Sequence, residues 1–343
     1  MNKSIIKNIK PLGFTWETQD PFLFCAYHRD QYPMGNSQMG VNHEALKGRN
    51  IGQDFNKKDG WSMYHGSKIP GFPYHPHRGF ETITINKEGV VDHSDSLGAA
   101  GRFMAGDVQW MTAASGVLHK EYHAESFCAT GGDFQMVQLW VNLPAKDKMS
   151  TPKYQAIENS NIPKIKVDGG EVEVIAGSYQ AHQGAAITFT PVNMLNAKLT
   201  SGGSATFSFP ANHNTCILVI EGEVILNDTE DVPLDHLALF KNEGETFTII
   251  ASQDSIVLIL SGAPINEPIA AHGPFVMNTK SEVLQAFEDF QKGLLGSIPA
   301  IYKDDAKRPQ SESKVNRTDK LSGDVKAADV LDVHNAPTEL QEK

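Results

Sequence analysis

Cysteine is scarce in this chain: three occur in 343 residues, Cys25, Cys128 and Cys216. They are too few and too scattered for a disulfide framework, so packed thiols in a reducing compartment are expected. Long apolar runs are missing as well. No stretch reaches the roughly eighteen residues that a membrane-spanning helix needs. The basic opening segment, Met-Asn-Lys-Ser-Ile-Ile-Lys-Asn-Ile-Lys, has no apolar core ahead of a small-residue cleavage site. A cytoplasmic protein without membrane contact is expected. Positive charge is short too: 30 Lys and Arg stand against 41 Asp and Glu, a net charge of -11. Without a Lys/Arg stripe to meet phosphates, direct nucleic-acid binding is not expected.

What the chain does have is turns and strands. Its 29 glycines and 18 prolines punctuate short alternating segments such as Glu81-Thr-Ile-Thr-Ile85. Lys164–Val167 and Glu171–Val174 flank Asp168-Gly-Gly170 and read as a hairpin with its turn marked. A second block runs from Ala205–Phe209 through Thr215–Ile220, turns at Glu221-Gly222, and continues through Thr246–Ile250 to Ile256–Leu260. At this length two domains are expected. Leu-Pro, Thr-Pro and Ile-Pro steps between Leu143 and Pro163 suggest the boundary. The expected division is 1–150, then 151–297, then a polar, aromatic-poor tail over 298–343 that cannot bury enough apolar surface to fold. One helix is expected at about 280–294. There Thr279-Lys-Ser-Glu282 fits a capping box, with Val283, Phe287, Phe290 and Leu294 at helical spacing.

The chemistry concentrates between Gly71 and Glu121, in two pairs, His75-Pro-His77 and His119-Lys-Glu121. On a strand, residues two apart project from one face, so each pair can grip a single ion. The second pair follows about forty residues later, enough chain for a small barrel to fold back on itself. Three imidazoles and a carboxylate suit Fe, Ni, Cu or Zn better than Ca or Mg. With no thiolate among them, an open catalytic site is favoured over a closed structural zinc site. His123 continues the parity of His119 and Glu121, but a fifth protein ligand would block access, so it is read as a neighbouring polar group. His93 and Asp95 also alternate, yet Asp92-His-Ser-Asp-Ser96 reads as a turn or strand end and is left outside the site.

Gly71-Phe-Pro-Tyr-His-Pro-His-Arg-Gly-Phe-Glu-Thr82 and Gly106-Asp-Val-Gln-Trp-Met-Thr112 resemble signatures of the pirin family, bacterial type. So do Asp20-Pro-Phe-Leu-Phe24, Gln138-Leu-Trp-Val-Asn-Leu143 and Gly273-Pro-Phe-Val-Met-Asn-Thr279, and the likeness runs from about residue 10 to residue 297. The resemblance implies an all-β bicupin: two antiparallel β-barrels or jelly rolls with metal only in the first; the short C-terminal helix and the disordered tail expected from the residues complete the reading, the tail lying outside the likeness. It places the iron ligands on His75, His77, His119 and Glu121, with Fe2+ expected and Ni, Cu, Mn or Zn open. Glu81 occupies the place of the usual first-motif cupin carboxylate. Because pirins take their carboxylate from the second motif, Glu81 is expected instead to orient an imidazole or Arg78. In the second half, His213 and His236 lack partners for a metal site.

The same resemblance implies quercetin 2,3-dioxygenase activity on a small aromatic, flavonol-like substrate with O2, and Glu121 would accept the substrate proton. Phe72, Phe80, Trp110, Met111 and Phe134 lie near the motifs and could line a pocket or fill the core. The rival expectation is a non-enzymatic, iron-dependent regulator that binds a protein partner, for which the acidic balance would favour a basic surface. A monomer is expected, since a second barrel can supply the contact that single cupins take from a partner.

Overall fold

The computed structural model describes residues 5–241 and 246–297, and the expected tail lies outside them. Strands dominate, as the alternating segments require. The longest helix among the described residues is Lys280–Gln291. Among those residues no helix is long and apolar enough to cross a membrane. All three cysteines are buried and unbridged.

Two compact units share the chain, and each is built from two stretches of it: Met1–Ala26 with Ile157–Asn266, and Tyr27–Ala156 with Glu267–Lys343. The first unit contains a nine-stranded sheet. Its core is the inward row of alternating strands, including Val172, Val174, Leu195, Ala197, Phe207, Ile217, Val219, Ile249 and Ile259. The N-terminal strand Ile6–Pro11 joins this unit because it pairs antiparallel with His236–Phe240. The expected hairpin at Asp168-Gly-Gly170 does not form. Lys164–Ala176 is one strand, paired with Val192–Ser208, and the register shifts between Asp168 and Gly170. Gly169, at φ 63°, serves a bulge that bends the strand instead of reversing it.

The second unit carries the two pairs His75/His77 and His119/Glu121. One sheet has five strands, in the order Lys153–Ile157, Val108–Thr112, Phe80–Glu88, Gly132–Asn142 and Phe22–Tyr32. The other has four, in the order Gly71–His77, Val117–His123, Val90–Asp95 and Ala100–Met104. Val117–His123 is buried at all seven positions. Its odd-numbered residues face inward. Its even-numbered ones are covered from outside: Leu118 by Phe275, Met277 and the helix residues Val283 and Ala286, and Tyr122 by Met39 and Cys128. That helix begins at the expected capping box, with Thr279 and Glu282 bonded reciprocally. Arg78 ties it down by donating to Asp289 at 2.8 Å and to the Ser115 carbonyl at 2.7 Å.

Glycine permits one close approach beside the site. Gly79 sits at φ 91° after the first histidine pair, and a Cβ there would lie 1.9 Å from the Val276 carbonyl oxygen.

Candidate metal centre

Antiparallel pairing of Gly71–His77 with Val117–His123 sets His75 opposite His119. The cross-strand and two-residue spacings together bring three imidazoles into one cluster. Ring centroids are 4.6 Å apart for His75 and His77, 4.3 Å for His75 and His119, and 4.9 Å for His77 and His119. His77 and His119 are buried and His75, half-buried, is the outer member. One ligand atom from each lies within 4.8 Å of the others.

The hydrogen bonds of these rings set which nitrogen is available. His75 Nδ1 lies 2.6 Å from the Pro73 carbonyl, His77 Nδ1 3.4 Å from the Pro274 carbonyl, and His119 Nδ1 3.5 Å from His93 Nδ1. Each Nδ1 therefore has an outer partner, while His119 Nε2 is buried without a hydrogen-bond partner. Burial, the largest cause in each case, lowers the pKa of His75 to about 4 and those of His77 and His119 well below 6.5. At neutral pH all three rings are uncharged, the form that binds a metal. An orphaned, buried imidazole nitrogen among neutral rings costs free energy unless something meets it, and a divalent transition ion fits that donor set.

Glu121 lies in a second grouping, with His119 and His93, whose ligand atoms also lie within 4.8 Å of one another. Its carboxylate bridges the two sheets. Oε1 accepts from Thr84 Oγ1 at 2.9 Å and Gln109 Nε2 at 2.8 Å, and Oε2 accepts from Gln138 Nε2 at 2.8 Å. Burial raises its pKa, while the nearby His93 and these three donors work against the rise. Beside it Tyr64, Phe72, Phe134 and Met136, with His28 and His123, line a cavity of about 10 Å3, room for a single water. Of the other large apolar residues near the motifs, Trp110 and Met111 are core, and Phe80 packs on Trp140 at 4.3 Å between ring centroids.

Two sequence expectations change here. Glu81 orients neither an imidazole nor Arg78. Its Oε1 accepts from Trp110 Nε1 at 3.0 Å and Thr112 Oγ1 at 2.6 Å, because its strand partner is Val108–Thr112 on the opposite sheet from the histidines. His93, read as part of a turn or strand end outside the site, lies near the end of strand Val90–Asp95, fully buried and directly opposite Glu121. A period-two reading of Val90-Val-Asp-His-Ser-Asp95 would have found it, as would the polar residues Thr84, Gln109 and Gln138 at core-facing strand positions. His123 keeps away from the cluster, its ring 4.3 Å from that of Tyr32 and 4.4 Å from that of Phe134.

Comparison with known proteins decides the family. The pirin family model matches residues 10–141, and the model of the pirin C-terminal cupin domain matches residues 194–296. A Pseudomonas aeruginosa protein named "Putative quercetin 2,3-dioxygenase" is 46% identical over 225 residues, 65% of this chain and 78% of that protein. The chain belongs to the pirin family. Pirin of Rattus norvegicus is 36% identical over 238 residues, 68% of this chain and 80% of the rat protein. The fold is that of two cupin domains. A crystal structure of quercetin 2,3-dioxygenase from Acinetobacter baumannii superposes with a TM-score of 0.71 at 37% identity, covering 86% of this pirin and 99% of that chain.

Proposed function

We propose that His75, His77 and His119, with Glu121, hold a divalent transition metal, iron first. On this reading the protein is a metal-dependent dioxygenase of flavonol-like substrates, as relatives of this pirin are named. The observation that carries the metal reading is His119 Nε2, buried and without a hydrogen-bond partner among neutral imidazoles whose outer nitrogens are already engaged. When bound, such a metal supplies Lewis acidity and one-electron chemistry toward dioxygen. The chain does the rest. Glu121, whose pKa burial has raised, takes the proton from the substrate hydroxyl. Thr84, Gln109 and Gln138 fix the carboxylate so that it needs no reorientation to do so. Tyr64, Phe72 and Phe134 give the adjoining cavity an aromatic wall.

That cavity admits a water-sized molecule, so a three-ring flavonol must displace part of the aromatic wall to reach Glu121. A second reading is that the metal-loaded protein acts by binding a partner protein, for which the net charge of -11 favours a basic surface. Anaerobic purification, metal analysis and oxygen uptake with quercetin separate the two, with the His75→Ala, His119→Ala double variant as control. About one iron per chain, together with oxygen uptake that the double variant loses, is the result expected of the enzyme. Iron without uptake removes quercetin as the substrate and points to another substrate or to partner binding, and an equal absence of metal from both proteins refutes the site.

A further inference from the structure

Behind the imidazole cluster stands a row of groups that neither ligand pair includes. Strands Val90–Asp95 and Val117–His123 pair so that Asp95 faces His119 and His93 faces Glu121. His93 and His119 are fully buried, and Asp95 is 3% exposed. His93 Nε2 lies 3.1 Å from Asp95 Oδ2, and His93 Nδ1 lies 3.5 Å from His119 Nδ1, the long end of hydrogen-bond reach. The ring of Tyr154 stacks on His93 with centroids 4.8 Å apart and planes 13° apart, holding it in this orientation.

The donor and acceptor roles along this row follow from its last member. The other oxygen of Asp95, Oδ1, accepts from the backbone N–H groups of Leu97 at 2.8 Å and Ala99 at 3.0 Å. A carboxylate only accepts, so the proton between Asp95 and His93 belongs to His93 Nε2. In its neutral form His93 carries one N–H, so with that proton on Nε2 its Nδ1 is bare and able to accept from His119 Nδ1. His119 then has its single proton on Nδ1 and none on Nε2, the nitrogen that faces the cluster.

We propose that Asp95, acting through His93, is a positioning device that fixes the tautomer of His119 and keeps its Nε2 free for a metal ion. The inference rests on the metal reading of the site, but it makes a separate claim about the metal-free protein.

Asp95→Asn tests it because the local turn dictates how the amide must sit. The two backbone N–H donors require the amide oxygen at the Oδ1 position, which turns the amide NH2 toward His93 Nε2. The row then runs backward: His93 Nε2 accepts, His93 Nδ1 donates, His119 Nδ1 accepts, and the proton moves to His119 Nε2, into the metal position. The substitution is isosteric and keeps the turn, so the variant is expected to fold.

The first measurement is nitrogen-15 imidazole NMR of the metal-free proteins. His119 is expected as the Nδ1–H tautomer in the wild type and as Nε2–H in Asp95→Asn. The second is Ni(II) affinity by chelator competition, expected to fall about 10–100-fold in the variant. His93→Gln, which can still accept from His119 and donate to Asp95, should keep affinity within a few-fold. His93→Phe, which preserves the stack on Tyr154 but no hydrogen bond, should lose as much as Asp95→Asn. If packing alone were at work, Phe would be tolerated and the tautomers would not change. Unchanged tautomers and equal Ni(II) affinity in wild type and Asp95→Asn overturn the proposal. His119 tautomers that differ as expected between wild type and Asp95→Asn, with no Ni(II) taken up by the wild type, leave the device standing and remove the metal reading.

Discussion

Replacing Glu81 by glutamine isolates a buried carboxyl whose ionisation opposes folding at and above neutral pH. Glu81 is fully buried, with Oε1 held by Trp110 and Thr112 and Oε2 without a hydrogen-bond partner. Burial is the dominant influence and lifts its pKa from 4.5 to about 7, while the two donors and the charge of Lys153 pull the other way. Since the folded state holds this proton more tightly than the unfolded chain, the stabilisation is complete below pH 4.5 and is lost as pH rises through about 7. At ~1.36 kcal/mol for each tenfold change in proton affinity, the loss by pH 8 is about 3 kcal/mol. Glutamine keeps the oxygen that accepts from Trp110 and Thr112, fills the same volume and carries no charge. Urea unfolding at pH 4.5 and pH 8 should therefore show the variant close to wild type at the lower pH and about 3 kcal/mol more stable at the higher. Asp30, raised to about 6 by burial despite the hydrogen bond it accepts from the Tyr64 hydroxyl, adds a pH dependence of the same sign to both proteins and cancels in the difference. Parallel pH profiles would refute the reasoning. So would loss of metal in Glu81→Gln, because the geometry puts this carboxyl outside the imidazole cluster.

Glu121→Gln should retain metal to within about tenfold while turnover falls by at least about a hundredfold, the cost of removing a general base. Gln138 can turn its own amide to meet the new NH2, so unchanged kcat in metal-matched protein would exclude Glu121 as the proton acceptor. Phe275→Ala should lower the unfolding free energy by about 3–5 kcal/mol. The ring is fully buried among Leu118, Met277 and Val283 and stands edge-on to Phe287 with centroids 4.8 Å apart, so a urea midpoint equal to wild type would contradict the packing described.

The legible part of this protein is the part that depends on local periodicity. The two-residue spacing of His75 with His77, and the odd parity of His119 with Glu121, place these side chains inward before any tertiary information is used. The capping box at Thr279 is equally local, and the helix begins where it says. What could not be read depends on long-range pairing. Asp168-Gly-Gly170 has the composition of a turn, and only the partner strand Val192–Ser208 makes it a bulge. Ile6–Pro11 looks like the start of the first domain until His236–Phe240 supplies its edge. Glu81 shares strand parity with the histidine pair, yet Gly79 ends one strand at His77 and Phe80 opens another on the opposite sheet, so parity no longer means proximity. His93 was missed for a chemical reason as well as a topological one, since Asp, Ser and His together are as common in turns as in buried sites.

The strand that carries His119 and Glu121 is enclosed on both faces, by the opposite sheet within and by Phe275, Met277 and the capped helix without. Its amides can reach solvent only when most of the unit opens, so they belong with the slowest-exchanging hydrogens of the chain. On the proposed reading, a metal would bind a frame that already stands, so its loss need not unfold the unit, while its binding to the folded form alone would still add to stability.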